Sequence, residues 1–194
     1  MRLVDSAGKH TVIATTTKRV HTMKAKLWAG FAMTAVAVLA GCSVFATKPT
    51  IQAAMAPTAG NTATGTVSFT AHDGKVLVEA DIQGLTPGMH GFHIHEKGDC
   101  SASDGSSAGG HFNPTGAQHG DPNGAVHHLG DMPMLTASDA GKAKLRVELN
   151  SLTLDGPNSI VGKAVIIHAK PDDFQTQPTG NSGGRVACGV IVEK

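Results

Sequence analysis

The sequence predicts an all-β fold, an antiparallel barrel or sandwich of short strands joined by long loops. Three observations lead to it. Six runs of 7 to 11 residues alternate apolar and polar positions or concentrate Val, Ile and Leu, the pattern of strands half or fully buried in a sheet. Turn-forming residues separate these runs, and no amphipathic helical period of convincing length lies between them. Glycine accounts for 24 of the 194 residues, which suits turns and loops better than a helical bundle.

The elements follow in order from Gly65. The run "TVSFTAH" (66–72) turns Val67, Phe69 and Ala71 to one face. Asp73-Gly74 is a hairpin dipeptide, and "KVLVEADIQGL" (75–85) is the return strand, closed by "TPG" (86–88). "HGFHIHE" (90–96) is the next strand. A loop rich in Gly, Ser, Asp, Asn and His then occupies about 97–134. "GKAKLRVELN" (141–150) sets Ala143, Leu145, Val147 and Leu149 on one face, and "KAVIIHA" (163–169) and "RVACGVIVE" (185–193) complete the set. No internal repeat is present. A loop of that length inside a small domain is uncommon and tends to be functional. It is too polar to fold by its own hydrophobicity, so a disulfide or a metal is expected to organise it.

The N-terminal part reads differently. Lys24 and Lys26 flank an apolar run of 14 residues, 27–40, too short for a comfortable membrane span and suited to a signal-peptide core. It ends in "LAGC" (39–42), which resembles a bacterial lipoprotein cleavage box. That resemblance implies cutting before Cys42 and attachment of lipid to its thiol, which anchors the chain to a membrane. Residues 1–41 are thus the expected signal segment, with Met23 a candidate true start because 1–22 look unlike a signal. Residues 42–64 are small, polar and punctuated by Pro and Gly, and read as a flexible tether. The domain is expected at 65–194. The expected location is the periplasm or cell envelope. Ser43 after Cys42, in place of an inner-membrane retention aspartate, favours the outer membrane. From Cys42 onward the chain holds 10 Lys and Arg against 14 Asp and Glu, a net −4, and no basic stripe points to nucleic acid.

"GFHIHEKGDC" (91–100) holds the candidate site. Positions i and i+2 of a strand face the same way, so His93 and His95 share one face, with Phe92, Ile94 and Glu96 on the other. Two adjacent imidazoles suit a metal that prefers nitrogen ligands, although such a pair also occurs on surfaces and in satisfied cores. The long loop adds His111, His119, His127, His128 and Asp131, and His168 ends an apolar strand.

Together, "GFHIHEKGDC", "GGHFNPTGAQH", "HHLGD", "IIHAKPDD" and "GNSGGRVACGVI" resemble copper/zinc superoxide dismutase of the bacterial secreted type, over roughly residues 65–193. The resemblance implies a Greek-key β-barrel with long metal-binding loops. It implies copper on His93, His95, His111 and His168, and zinc on His111, His119, His128 and Asp131, with His111 bridging the two. Asp172 corresponds to a carboxylate joining His93 to His119, while Asp173 is expected to be structural. His128 is preferred over His127 by its spacing to Asp131. His90 is expected to be structural and His72 solvated. Cys100 and Cys188 are expected to pair, which needs the oxidising compartment that export provides. Arg185 is expected to line the path to copper and attract superoxide, a small anion. The segment 174–184 lacks the charged cluster of animal relatives, so Lys97 and Lys170 are candidates for additional steering. The implied reaction converts superoxide to oxygen and hydrogen peroxide. The rival reading is a copper or zinc carrier on the same fold. The sequence leaves open whether the protein is a monomer or a homodimer.

Overall fold

In the computed structural model, which describes residues 50–194, the chain forms nine strands and one short 3-10 turn, with no α-helix among the described residues. The expected signal segment and Cys42 lie outside the described residues. The strands are β1 (Ile51–Pro57), β2 (Thr64–His72), β3 (Lys75–Gln83), β4 (Gly88–His90), β5 (Phe92–His95), β6 (Leu135–Ala137), β7 (Ala143–Leu149), β8 (Ala164–His168) and β9 (Arg185–Glu193). Seven of them make one curled antiparallel sheet, in the order β5-β8-β9-β1-β2-β3-β7, and β4 pairs with β6. The connections from β3 to β5 and from β7 to β8 each cross from one side of the sheet to the other, the kind of long return that a Greek key requires. Val67, Phe69, Val78, Ile82, Phe92 and Ile167 are buried inside the curl.

The β2–β3 hairpin forms where the sequence places it. Its register runs from Thr64↔Gln83 to His72↔Lys75, and Asp73 and Gly74 both take positive φ, 47° and 78°, as a two-residue turn of this hand demands. The expected tether over 42–64 requires correction. Ile51–Pro57 is a strand, paired with β2 on one side and β9 on the other. Only Ala53 and Met55 of this strand are fully buried, so its hydrophobic signal is faint. Backbone pairing on both edges holds it instead.

The run 90–96 is split at Gly91. Its first part pairs with β6 and its second, β5, with β8. β5 is an edge strand of the large sheet, and the long loop covers its outer edge. Phe112 N–H donates to Ile94 O at 2.8 Å, Ile94 N–H to Gly130 O at 2.8 Å, and Glu96 N–H to Gly110 O at 2.9 Å. An edge strand capped in this way offers no free ladder to another chain. The polar loop therefore has backbone partners in addition to a covalent one. Cys100 is bonded to Cys188 on β9, with Cα atoms 5.8 Å apart and 88 positions between them. A cross-link over so long a span contributes roughly 4–5 kcal/mol in the chain-entropy account.

Candidate metal centre

β5 sorts its side chains by parity. Phe92 and Ile94 join the hydrophobic core, and His93 and His95 occupy the opposite face, buried to 0% and 1% exposure. β8 adds to that second face. His93 pairs with Ile166 and His95 with Ala164, so His168, two residues after Ile166, points the same way. The β8–β9 register shifts between Ile167↔Ala187 and His168↔Arg185. The shift is a bulge, a device that re-aims side chains, and it sets Arg185 opposite His168. The loop completes the cluster through two bridges, His95↔His111 and His93↔Asp131.

Two sets of four ligand atoms result. His93, His95, His111 and His168 form one, and His111, His119, His128 and Asp131 form the other. All seven residues are buried, and within each set the atoms lie within 4.8 Å of one another. His111 belongs to both. Its ring centroid is 4.0 Å from that of His93, 5.0 Å from His95, 5.2 Å from His119 and 5.4 Å from His128.

The outward-facing ring nitrogens are fixed by acceptors, which assigns the inward-facing ones. His93 Nε2 donates to Asp172 Oδ2 at 2.5 Å, leaving Nδ1 to face inward. His95 Nδ1 donates to Gly109 O at 2.9 Å and His168 Nδ1 to Gly183 O at 3.1 Å. Their Nε2 atoms meet at 3.4 Å. His119 Nε2 donates to Asp172 Oδ1 at 2.9 Å, so a single carboxylate holds one histidine of each set. Such outer partners fix tautomer and ring orientation in metal sites. Gly180, at φ 64°, makes room for this: a Cβ there would stand 1.8 Å from Asp172 Oδ1 and 2.6 Å from His119 Nε2.

Three buried nitrogens remain without a hydrogen-bond partner: His93 Nδ1, His111 Nε2 and His119 Nδ1. Leaving such groups unpaired costs on the order of 1–3 kcal/mol each. His119 Nδ1 is 3.1 Å from Asp131 Oδ2 yet not aligned to bond it. His128 Nδ1 and His111 Nδ1 are 3.4 Å apart, and two nitrogens about 2.0–2.1 Å from one ion at a tetrahedral angle stand about 3.4 Å apart. The donor sets therefore fit two metal ions, one ligated by four imidazoles and one by three imidazoles and a carboxylate.

Electrostatics separate the sets. Burial pushes His95 well below its ordinary pKa, His111 to about 4 and His168 to about 3. Burial also lowers His119, but the Asp131 and Asp172 carboxylates overcome it and raise its pKa to about 9. Burial opposes ionisation of Asp131 and Asp172. The neighbouring imidazoles, His111, His119 and His128 in one case and His119 and His93 in the other, prevail and hold both below the usual carboxylate range.

Arg185 is half-buried beside the first set. Its guanidinium donates to Gly105 O and Gly109 O, each at 2.6 Å. The Gly109 carbonyl also receives His95 Nδ1, so the cation and a ligand share one acceptor. Thr58, at the end of β1, donates its hydroxyl to Arg185 O at 2.7 Å. The sequence offers no signal for Gly105, Gly109 or Thr58 in this role, because two act through carbonyls and the third stands 127 positions from Arg185.

The remaining histidines fall outside. His127 bonds its neighbour's carbonyl, His128 O, at 2.6 Å and lines a separate surface concavity of about 690 Å³ with Lys75, Val126 and Asn150. His72 is exposed and pairs with Glu148 at 2.9 Å. His90 is buried between the carbonyls of His168 and Thr86, 2.7 and 2.8 Å away. Of the candidate steering lysines, Lys170 packs its stem against Gly183, where an added Cβ would lie 3.1 Å from Lys170 Cγ. Gly183 carries the carbonyl that holds His168.

The described residues thus form a curled antiparallel sheet carrying two fused, imidazole-rich residue sets, each of which could hold a metal ion. The family model for copper/zinc superoxide dismutase (SODC) matches residues 63–191, and the chain belongs to that family, which normally binds copper and zinc. Among solved structures, a crystal structure of the clock protein EA4 is similar at 40% identity and a TM-score of 0.68. The match covers 75% of this chain and 96% of that one.

Proposed function

We propose that this protein is a superoxide dismutase, converting two superoxide anions and two protons to one dioxygen and one hydrogen peroxide. The observation that carries the reading is Arg185, a half-buried cation held by two carbonyls beside the four-imidazole set. A carrier has no need of a fixed cation there. An enzyme acting on a small anion does.

In this reading His93, His95, His111 and His168 hold copper, and His111, His119, His128 and Asp131 hold zinc. Copper supplies the one-electron oxidation and reduction of superoxide; zinc, with one stable oxidation state, supplies charge and shape. The chain's own residues do the rest. Arg185 draws the anion in and orients it, since its guanidinium stays charged at any working pH. His111 Nε2, unpartnered in the protein, is the atom placed to take a proton in one half of the cycle and give it up in the other. The opposite nitrogen of that ring, Nδ1, lies 2.9 Å from Asp131 Oδ1 on the side of the second set, where it would be the zinc ligand, and this leaves Nε2 aimed at the first set. Asp172 and Gly109 keep His93 and His95 from turning.

The test is superoxide decay followed by stopped flow on protein loaded with one copper and one zinc. Decay near the diffusion limit, lost on copper removal and several-fold slower in Arg185→Ala, supports the enzyme. Decay no faster than free copper at full loading would put the carrier in its place. The proposed location is the bacterial envelope, preferably the outer membrane, through a lipid on Cys42. Incorporation of labelled fatty acid that disappears in Cys42→Ser tests that part.

A further inference from the structure

The turn after Asp172 does more than carry that carboxylate. Gln177 lies on the surface, yet its side-chain amide makes two bonds to one distant residue. His119 N–H donates to Gln177 Oε1 at 2.9 Å, and Gln177 Nε2 donates to His119 O at 2.9 Å. A primary amide offers an acceptor and a donor side by side, so it pairs with both polar groups of a residue's backbone as a neighbouring strand would. An exposed glutamine at a loop tip has considerable rotamer freedom to lose, and two well-formed bonds to a buried residue offset that loss.

The turn is built to present this side chain. Asp173 Oδ1 accepts the amides of Gln175 and Thr176 at 2.9 and 2.8 Å, and its Oδ2 accepts the Thr176 hydroxyl at 2.6 Å. Gly180 N–H donates to Thr176 O at 2.7 Å, and Asp173 N–H to Gly180 O at 2.9 Å. The closed turn projects Gln177 across 58 positions of sequence onto His119. The same loop thus grips His119 twice: Asp172 holds its ring through Nε2, and Gln177 holds its backbone. A ring fixed at both ends has its remaining nitrogen, Nδ1, fixed in direction.

We propose that Gln177 is a positioning residue of the second ligand set: by pairing with the backbone of His119 it latches the zinc-side loop onto the 171–184 loop and slows release of zinc. The proposal rests on the reading that zinc occupies this set. It differs in consequence from the role of Asp172, which touches one histidine of each set. Loss of Gln177 acts on zinc alone.

The test uses the full protein loaded with copper and zinc, and its Q177M and Q177E variants. Met has similar length and no amide; Glu keeps the acceptor for His119 N–H and loses the donor to His119 O. Zinc release to a chromogenic chelator is expected to be about tenfold faster in Q177M, the lower end of what outer partners of metal ligands cost, and intermediate in Q177E. The His119 amide is expected to lose hydrogen-exchange protection in Q177M, with copper retention and melting of the metal-free protein unchanged. Zinc release within twofold of wild type in Q177M, or an equal loss of copper and of metal-free stability, would overturn the latch. Wild-type protein that takes up no zinc would overturn the zinc reading of this set and the retention role together, whereas normal zinc uptake with unchanged release in Q177M would overturn the retention role alone.

Discussion

His93, His95 and His168 stand on β5 and β8, whereas His119, His128 and Asp131 stand in the loop that follows β5. The strand histidines are aimed by pleat, register and a bulge, and each has a single outward hydrogen bond, to a carbonyl or to Asp172. The loop ligands have no lattice of their own. Asp131 supplies one, accepting the backbone amides of Gly120 and His128 at 3.2 and 2.8 Å as well as facing His111, His119 and His128. Imidazoles on a sheet are preorganised by secondary structure; imidazoles on a loop are organised around an anion. His111 joins the two regimes, placed by its bridge to His95 on one side and by Asp131 on the other.

The largest effect that separates the two halves is expected from Asp131→Ala. It leaves buried imidazoles and two backbone amides without their common acceptor, and breaking a buried charged pair in this way costs about 3–5 kcal/mol. Zinc content is expected to fall towards zero while copper remains, read by metal analysis and by calorimetric melting. Equal loss of both metals would mean that the strand set is no more preorganised than the loop set.

Acidity and alkalinity are expected to act on different halves of the metal-free protein. His95, His111 and His168 are held below their unfolded pKa of about 6.5, the latter two at about 4 and about 3. Below pH about 6.5 the unfolded chain takes up protons that these buried rings refuse, so stability declines as pH falls towards 3. Asp131 and Asp172, held below the carboxylate range, add to the loss once the pH is under about 4. His119 has the opposite sign. Its raised pKa of about 9 contributes stability that is complete below pH about 6.5 and is lost between there and pH 9. A denaturant titration at several pH values is expected to show a maximum near pH 6.5, with the alkaline limb absent in His119→Gln. Zinc binding near pH 7.5 is expected to release about one proton, because the ligand must be neutral; a calorimetric series in buffers of different ionisation enthalpy measures it.

The smallest effect is expected from His127→Asn. The ring lies outside both sets, so metal content and superoxide decay are expected to stay at wild-type values, with stability changed by less than about 0.5 kcal/mol. Loss of zinc in this variant would show that the loop set is not closed as described.

Much of this was legible in the sequence because it depends on short-range periodicity. The alternation of Phe92, His93, Ile94 and His95 already divides core from ligand face, and Asp73-Gly74 already specifies the first hairpin. The resemblance carried over the ligand groups, the Cys100–Cys188 pair, Arg185 and Asp172, and the structure brings each set together. Other features carried no such signal. β1 hid in a run of small side chains because pairing on both edges, not burial of large groups, makes it a strand. The single run 90–96 concealed a break at Gly91.

The sequence by itself determined which residue types could serve as ligands and which strand faces they share, since side-chain chemistry and the two-residue pleat are local properties. Only the tertiary structure decided which ring nitrogen of each histidine turns inward, because that choice belongs to the acceptors Gly109, Gly183 and Asp172, and two of these are backbone carbonyls that no side chain announces. The setting of Arg185 was decided the same way, by Thr58 from β1 and by the carbonyls of Gly105 and Gly109. Every backbone has a carbonyl at each residue, so the sequence does not say which one is used; long-range packing does.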